Sequence, residues 1–265
     1  MRIMNKFLSL ALSSAIVLGC GAAASADTTR YAINSVNFPD AEFRALIQKD
    51  FDANNDGWLD YSERTRESYE ITGSKIRSIE GINLLNLKQL MIRRCRVDEI
   101  DLSTNRTIEH LLVFSCNRLT DFIGSAFMKN IELDLCEYLQ NVDLTYCRNV
   151  EILSLVHDEN LEGTLNLSML SNLQDFTLYQ TQVSDIRFNR NAIFKQALIS
   201  GSNIKNLDIS NNLDLNSSFS FILATGGNLA SLRVSGEVLN LLWNHRKPDN
   251  TGYLYQTQDQ YISIG

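Results

Sequence analysis

The residues with the clearest chemistry form a twelve-residue run from Asp52 to Glu63 that is rich in side-chain oxygen atoms. Aspartate or asparagine fills its positions 1, 3, 5 and 9, Gly57 stands at position 6 and Glu63 closes it at position 12, which is the spacing of a calcium-binding loop. Calcium prefers several hard oxygen ligands at flexible distances, and this spacing wraps them around one ion. The predicted ligands are Asp52, Asn54, Asp56, the carbonyl of Trp58, Asp60 and Glu63.

The flanking residues predict the rest of an EF-hand. Residues 40–51 carry apolar side chains at helical spacing and predict an entering helix, whereas residues 62–66 predict a short exiting helix. Leu59 is expected to point into the neighbouring core. Sensor EF-hands normally act in pairs, and because only one loop is visible, we expect a structural ion that stabilises a cap. An acidic turn that binds no ion is the alternative.

The residues after this loop contain a repeat that predicts the architecture. Clear copies read Leu90-x-Ile92-x-x-Cys95 and Leu111-x-Val113-x-x-Cys116. Each copy supplies one strand and one turn, and stacked copies form a parallel sheet over a shared core. The predicted fold is an α/β solenoid of leucine-rich repeats, with the sheet on a concave face and a helical EF-hand-like N-terminal cap. Successive copies end at Ser74, Cys95, Cys116, Cys136, Asp158, Thr181 and Ser202, at spacings of 21, 21, 20, 22, 23 and 21 residues.

The column that ends each copy is predicted to be buried beside backbone groups that lack sheet partners, and small polar residues suit it. Cys95, Cys116 and Cys136 occupy this column in three consecutive coils. A disulfide or a metal site needs converging side chains, whereas stacked coils point these three in parallel. We therefore interpret them as buried column residues, and Cys147 as a free thiol in a turn on the far side.

Side chains between the inward ones are predicted to face outward on the concave face. Several are apolar and have charged neighbours, a composition suited to a protein contact. Ordinary packing of a sheet surface, or cover by the C-terminal segment, is the alternative. The predicted ligand-binding residues are Met91, Arg93, His110, Leu112, Phe114, Glu132, Asp134, Val156 and Tyr179.

The first 26 residues have the layout of a secretory signal peptide. Arg2 and Lys6 precede an apolar run over 7–18 that is too short to span a bilayer. Ordinary cleavage after Ala26 would release a secreted protein. The run Val17-Leu18-Gly19-Cys20 instead resembles a lipoprotein box, and lipidation of Cys20 would give a cell-surface or periplasmic lipoprotein. Both forms of processing stay open.

Composition argues against several functions. The 265 residues carry a net charge of -7 and no cluster of lysine and arginine, so we expect no nucleic-acid partner and no membrane contact except through lipidation of Cys20. The three histidines are scattered, and we find no nucleophile motif, HExxH or glycine-rich phosphate loop. The sequence therefore predicts a protein that is not an enzyme.

The domain boundaries follow from these motifs. Residues 1–26 are the signal peptide, 27–66 the N-terminal cap with its loop at 52–63, 67–215 the repeats, and 216–265 a last coil and a C-terminal cap. Leu229-x-x-Leu232-x-Val234 predicts that last coil, after an irregular insertion that contains Phe219 and Phe221. Residues 239–243, including Trp243, are expected to cover its apolar edge.

Taken in order, these motifs resemble a known family. The run Val36-Asn37-Phe38-Pro39-Asp40, the EF-hand loop and the Leu-x-x-Leu coils look like bacterial extracellular leucine-rich repeat proteins of an internalin-like kind, over residues 36–215. The resemblance implies protein or glycan binding, or adhesion, outside the cell, and it names no ligand. Unlike the family's commoner pattern, the chain lacks asparagine at most column positions and shows no wall-sorting signal. If the outward strip is not a ligand site, an oligomer contact is the alternative.

Overall fold

The central strands alternate strictly between buried and outward side chains. In the strand that contains Leu90 and Ile92, these two side chains are fully buried. The alternate residues Met91 and Arg93 are half-buried. Because this alternation recurs in every coil, the strands stack in parallel, and the computed structural model of the protein is a β-solenoid of about 8 turns. The structure describes residues 28–225, 228–247, 252–257 and 260–264. The predicted signal peptide and Cys20 lie outside the described residues.

Helices are few. Helix α1 spans Ala41–Phe51, helix α2 spans Gly236–Trp243, and a short 3-10 helix spans Ile82–Leu84. Neither α-helix is long or apolar enough, within the described ranges, to cross a membrane. The strands are β1 Tyr31–Ala32, β2 Trp58–Leu59, β3 Thr65–Thr72, β4 Asn86–Arg93, β5 Glu99–Asp101, β6 His110–Phe114, β7 Asp121–Ile123, β8 Asn130–Asp134, β9 Asn141–Asp143, β10 Ile152–Val156, β11 Glu162–Leu167, β12 Asp175–Tyr179, β13 Gln182–Phe188, β14 Gln196–Ser200, β15 Asn206–Asp208, β16 Phe219–Ala224, β17 Ser231–Arg233, β18 Tyr253–Gln256 and β19 Gln260–Ile264.

Ten strands form one sheet, the long sheet, in the order β18-β19-β16-β14-β12-β10-β8-β6-β4-β3. From β3 to β19 every neighbouring pair is parallel, and only β18 runs antiparallel, beside β19. A single register crosses its central strands, because Met91 lies opposite Leu112 and Leu112 lies opposite Glu132. The prediction of a parallel sheet built from stacked coils is confirmed.

The return half of each coil forms two smaller parallel sheets, the back sheets, in the orders β5-β7-β9 and β11-β13-β15-β17. Their inward side chains, such as Ile100 and Leu207, join the same buried cluster as those of the long sheet. The core therefore lies between the long sheet and the back sheets. Since the helices flank the coils, β-solenoid describes the fold more closely than the predicted α/β class.

Each long-sheet strand from β4 to β14 is followed by a residue with left-handed backbone. These residues are Arg94, Ser115, Leu135, His157, Gln180 and Gly201, with φ between 52° and 63°. Their N–H groups donate to the next coil, as Ser115 does to the oxygen of Asp134 at 2.9 Å. The turn brings the next residue inward, and the column from Cys95 to Ser202 is buried as expected.

The cysteines of the described chain are free thiols. The sulfur atoms of Cys95 and Cys116 each lie 3.8 Å from a carbonyl oxygen of the preceding coil, that of Ile71 or Ile92. This shared direction fits the interpretation of parallel column residues. Cys147 is fully buried against Gly124.

The N-terminal segment matches its prediction only in part. Helix α1 forms as expected, and the side chain of Asp40 caps it by accepting from the Phe43 N–H at 2.8 Å. The predicted exiting helix at 62–66 is wrong, because the chain turns and enters strand β3 at Thr65. Pairing of β3 with β4 outweighs any helical preference of so short a segment.

Two predictions for the C-terminal segment are also wrong. Phe219–Ala224 is the regular long-sheet strand β16, whereas Leu232 lies in the back strand β17. The insertion delays β16, so that Ser220 lies opposite Gln196, 24 residues earlier, and this longer interval concealed the repeat. Of residues 239–243, which were expected to cover an apolar edge, Leu242 is buried in the core cluster as expected, whereas Trp243 is 77% exposed.

Candidate binding face and candidate calcium loop

The structure places all nine predicted ligand-binding residues on the outward face of the long sheet, and the register arranges them in columns. His110 lies opposite Gln89 and Asn130 in one outer column. The C-terminal strands β18 and β19 extend the sheet at its edge, so the described part of that segment does not cover this face. The middle column contains Met91, Leu112 and Glu132, and the last contains Arg93, Phe114, Asp134, Val156 and Tyr179.

The apolar residues of this face do not form one strip. Met91, Leu112 and Phe114 lie on β4 and β6, while Val156 and Tyr179 lie on β10 and β12. Strand β8 separates them with the outward residues Asn130, Glu132 and Asp134. The face is therefore two half-buried apolar patches on either side of a polar row.

Several polar atoms on this face have no hydrogen-bond partner within the described structure although they are shielded from solvent. They are Arg93 Nε, Asn130 Oδ1, Asp134 Oδ1 and Asp175 Oδ1. Arg93 Nε lies 3.7 Å from Glu70 Oε1, which is an ion-pair distance but too long for a good hydrogen bond. Buried polar atoms are normally paired, so these four carry unused capacity for a ligand or for water.

Asp134 has the most perturbed environment in the polar row. Burial raises the pKa of Asp134, and the nearby charge of His157 opposes that rise. His157 also packs edge-to-face on Tyr179, with ring centroids 5.3 Å apart. His157 was missed by the sequence analysis because it is the left-handed residue after β10, outside the strict alternation of inward and outward positions.

His110 does not lie opposite an acidic residue in the sheet. It lies opposite Asn130, whose side-chain amide donates to Glu132 Oε1 at 2.9 Å. The histidine near Asp134 is His157.

The predicted calcium loop connects α1 to β2 and β3. Gly57 has a left-handed φ of 78°, as the tight turn at position 6 requires, and Leu59 is fully buried as expected. Asp52 accepts from the N–H groups of Asp56 and Gly57 at 3.1 and 3.0 Å. Strand β1 pairs antiparallel with β2 and fixes the outer edge of the loop.

Glu63 folds back over the start of the loop. Its Oε1 accepts from the Ala53 N–H at 3.0 Å, and its Oε2 from the Asp60 N–H at 3.1 Å. Asp56 forms an ion pair with Arg30. The carboxylates of the loop therefore contact backbone N–H groups and one arginine. Among the described residues, no group of three or more histidine, cysteine or acidic side chains is placed to hold a metal ion.

The donor chemistry nevertheless fits calcium. The six predicted ligands offer only oxygen atoms, which hard cations prefer, and no sulfur or nitrogen donor stands among them. Asp60 also accepts from the Glu63 N–H at 2.9 Å and from the Ser62 hydroxyl, and these bonds lower its pKa. Asp60 is therefore charged at neutral pH.

The N-terminal segment is attached to the first coil by specific contacts. The second oxygen of Asp40 accepts from the N–H groups of Arg77 and Ser78 at 2.9 and 3.2 Å. The Tyr69 hydroxyl donates to Asp50 at 2.9 Å, and its ring packs on Phe51. These contacts shield Tyr69 on the edge strand β3, most of whose other residues stay exposed.

Comparison of the chain with protein-family models, with curated proteins and with solved structures found no match. No relative therefore supplies a ligand or a catalytic residue. The assignment of function depends on the geometry of the outward face and of the loop.

Proposed function

We propose that the protein is an extracytoplasmic leucine-rich repeat binding module, of the internalin-like kind, whose outward long-sheet face binds a protein ligand. The observation that carries the proposal is the combination on this face of half-buried apolar patches with shielded polar atoms that lack partners. A protein ligand can cover both at once, because interfaces join an apolar centre to directed hydrogen bonds. The resemblance to surface proteins supports the same class of function.

The arrangement of the face sets the chemistry of the partner. The row on β8 offers the acceptors Glu132 and Asp134 between the two apolar patches. A complementary protein would present two apolar side chains with a basic or hydrogen-bonding group between them. A glycan would use the polar row and leave the apolar patches uncovered, so the protein ligand is favoured.

Site-resolved photocrosslinking tests the proposal. A photoreactive phenylalanine analogue is placed at Phe114 or at Val156 and, as a control, at Tyr146, a 57% exposed aromatic residue after β9. Irradiation with cell-surface proteins should give the same discrete adduct from both outward-face positions and none from Tyr146. Equal adducts from Tyr146, or no adduct from the face, would overturn the proposal.

Self-association is the second candidate, because the same apolar patches suit an oligomer contact. Sedimentation equilibrium distinguishes the two. A mass that rises with protein concentration in the wild type, and stays monomeric in Phe114→Glu, would assign the face to oligomerisation. A constant monomer mass in both would leave the binding proposal in place.

Calcium is proposed as a structural ion of the loop, held by Asp52, Asn54, Asp56, the carbonyl of Trp58, Asp60 and Glu63. The support is the oxygen-only donor set and the left-handed Gly57. Binding would require Asp56 to release Arg30 and Glu63 to release backbone N–H groups. The ion would then fix the contacts between α1 and the edge strand β3.

Calorimetric titration with calcium, paired with thermal melts, tests this proposal. Binding and a raised melting temperature are expected for the wild type and for Glu67→Gln, and neither for Glu63→Gln. Glu67 is a matched control because it is an exposed acid outside the loop. Arg30→Gln should tighten binding by freeing Asp56. Absence of binding at millimolar calcium would leave an acidic turn.

We propose that the chain is exported, and the only support is the sequence of residues 2–20. Mass spectrometry of the full chain expressed in a bacterial host measures the outcome. A mature chain that begins at Asp27 indicates secretion, and a lipid-modified Cys20 at the N-terminus indicates a lipoprotein. An unprocessed chain with intact Met1 would overturn export.

A further inference from the structure

The back sheets contain a groove that the proposed protein-binding face does not use. Pairing between β13 and β15 is recorded only at Asp185 and Asn206. Strand β13 nevertheless stays paired with β11 as far as Phe188, and β15 stays paired with β17 as far as Asp208. The N–H groups of Asn203 and Lys205 donate to the carbonyl oxygens of Val183 and Ser184, but no pairing between the two strands follows Asp185 and Asn206. A groove of about 430 Å³ opens there, lined by residues of β13, β15 and β17.

The size and the rigidity of this groove suit a small ligand. Its volume lies in the range of roughly 300 to 1,000 Å³ that is usual for small-molecule sites. At one end Asn212, which is 3% exposed, donates to the carbonyl oxygens of Asn189 and Ala192 at 2.9 and 2.7 Å. Phe188 packs edge-to-face on Phe194 with centroids 4.9 Å apart. The groove is thus preformed by core contacts.

Three arginines line the groove: Arg187, Arg190 and Arg233. Two acids accompany them, but the pairs are loose, at 3.9 Å from Arg187 to Asp185 and 3.4 Å from Arg233 to Asp208. Arg190 makes no side-chain hydrogen bond or ion pair with any other described residue. The lining therefore carries an excess positive charge in a chain whose net charge is -7.

The side chains that line the groove indicate the chemical class of its ligand. Each guanidinium has five N–H donors, and their fork matches the oxygens of a carboxylate or phosphate. The uncharged side chains of Asn206, Asn211 and Ser231 line the same groove and add donors and acceptors for hydroxyl groups. A ligand that satisfies both sets has one anionic group and several hydroxyls.

We propose that the groove between β13 and β15 binds an anionic sugar, either a uronate or a sugar phosphate, through Arg187, Arg190 and Arg233. This site lies on the back sheets, whereas the protein ligand is assigned to the long sheet. Either site can fail without the other.

Calorimetric titration of the full mature chain tests the site with three probes: glucuronate, glucose 6-phosphate and neutral glucose. Saturable binding is expected for an acidic sugar and not for glucose. Arg190→Gln should weaken it about tenfold or more, because charge-assisted hydrogen bonds are lost. Arg118→Gln is the control, since it removes an exposed arginine that pairs with Asp98 at 2.9 Å far from the groove. Arg190 has no partner to lose, so its variant should melt like the wild type.

Each outcome decides the matter. Binding of glucuronate alone supports a uronate ligand, and binding of glucose 6-phosphate alone supports a sugar phosphate. Amide NMR shifts should then fall on Arg187 and Asp208, and not on Phe114 of the long sheet. Absence of binding by both acidic sugars, equal binding of glucose, or equal weakening by Arg118→Gln would overturn the proposal.

Discussion

The long sheet and the back sheets are built by the same coils, yet the long sheet keeps one register from β3 to β16 whereas the four-stranded back sheet does not. From β3 to β16, residues that lie opposite each other in the long sheet are separated by as few as 20 residues, from His110 to Asn130, and by as many as 24, from Gln196 to Ser220. The long sheet shows no register shift between these strands. The back sheets have a bulge at Gly163 and Thr164 and the separation of β13 from β15. Extra residues are therefore accommodated at the back.

The difference follows from what each half of the coil must satisfy. Each long-sheet strand from β4 to β14 ends in a left-handed residue, whose N–H donates to the next coil, and in a buried column residue. An insertion there would disturb both. A back strand has to bury only one or two side chains, as Val142 and Leu207 illustrate. The regular outward face, where we propose a protein ligand, and the irregular groove, where we propose a small anionic sugar, are consequences of one fold.

The largest expected effect compares the two halves within a single coil. Leu133→Ala in β8 removes a fully buried side chain and should cost about 3 kcal/mol of unfolding free energy. Val142→Ala in β9 should cost about 1 kcal/mol, because Val142 is only partly buried. Urea unfolding of both variants measures the difference. Equal costs would mean that the back strands are as tightly specified as the long sheet.

The next effect concerns the buried column. Asp158 is fully buried, its Oδ1 accepts from the Cys136 N–H at 3.0 Å, and its Oδ2 has no partner in the described structure. Burial raises the pKa of Asp158 to about 8. The folded state then keeps a proton that the unfolded state releases, so stability should fall as pH rises from about 4 to about 8, by at most about 1.4 kcal/mol per pH unit.

Asp158→Asn keeps the acceptor and removes the charge. This variant should therefore be more stable than the wild type at pH 8 and should lose that part of the pH dependence. Thermal melts from pH 5 to pH 9 measure both, with the exposed Asp98→Asn as the control that should follow the wild type. A variant that is less stable at every pH would show that the carboxyl is needed in its charged form.

The buried column also shows how much of the fold could be predicted from the sequence. The spacing from Cys95 to Ser202 predicted the stacked strands and the outward positions, because the side-chain period of a strand is strict. The sequence did not predict the polar row that divides the apolar patches, although Asn130, Glu132 and Asp134 were visible. Side chains of adjacent strands become neighbours only through the register of the sheet. The pattern of apolar residues along the sequence does not show which of these contacts form.

Other features depended on distant pairing. Strand β16 was missed because its coil is longer, and the exiting helix was wrong because β3 pairs with β4. The groove of Arg187, Arg190 and Arg233 brings together residues from three coils and had no sequence signal. The tight turn at Gly57 was predicted correctly because its determinants lie close together in the sequence, whereas calcium binding by that loop stays a prediction.

The left-handed residues that follow the long-sheet strands give a smaller test of why this sheet resists insertion. Gly201 has φ of 63°, and a Cβ there would lie 3.2 Å from the Cγ of Gln180, so Gly201→Ala should cost about 1 kcal/mol. Ser115 has φ of 56° in the equivalent position and makes no side-chain hydrogen bond with another described residue. Ser115→Gly should stabilise by about 0.5 kcal/mol for the same reason. Effects of the same sign in the two melts would contradict a shared backbone requirement.

The smallest expected effect concerns an ion bridge at the entry to the long sheet. Glu109 lies between Lys129 and Lys88 of the two adjacent coils, with a distance of 2.7 Å to each. Hydrogen bonds from Lys129 and Lys88 lower the pKa of Glu109 to about 2. Its contribution should be complete above about pH 4.5 and be lost as pH falls towards 2.

Both lysines are about half exposed, so solvent and salt screen the bridge, and Glu109→Gln should cost only about 0.5 kcal/mol at neutral pH. Melts at low and at molar salt measure it, with the exposed back-strand change Glu99→Gln as the control. If the bridge determined the register of the long sheet, the Glu109→Gln change would cost far more unfolding free energy than this, and the cost would persist at molar salt. A small, screened effect would instead place the register in the buried column and the left-handed turns, where the two halves of the coil differ most.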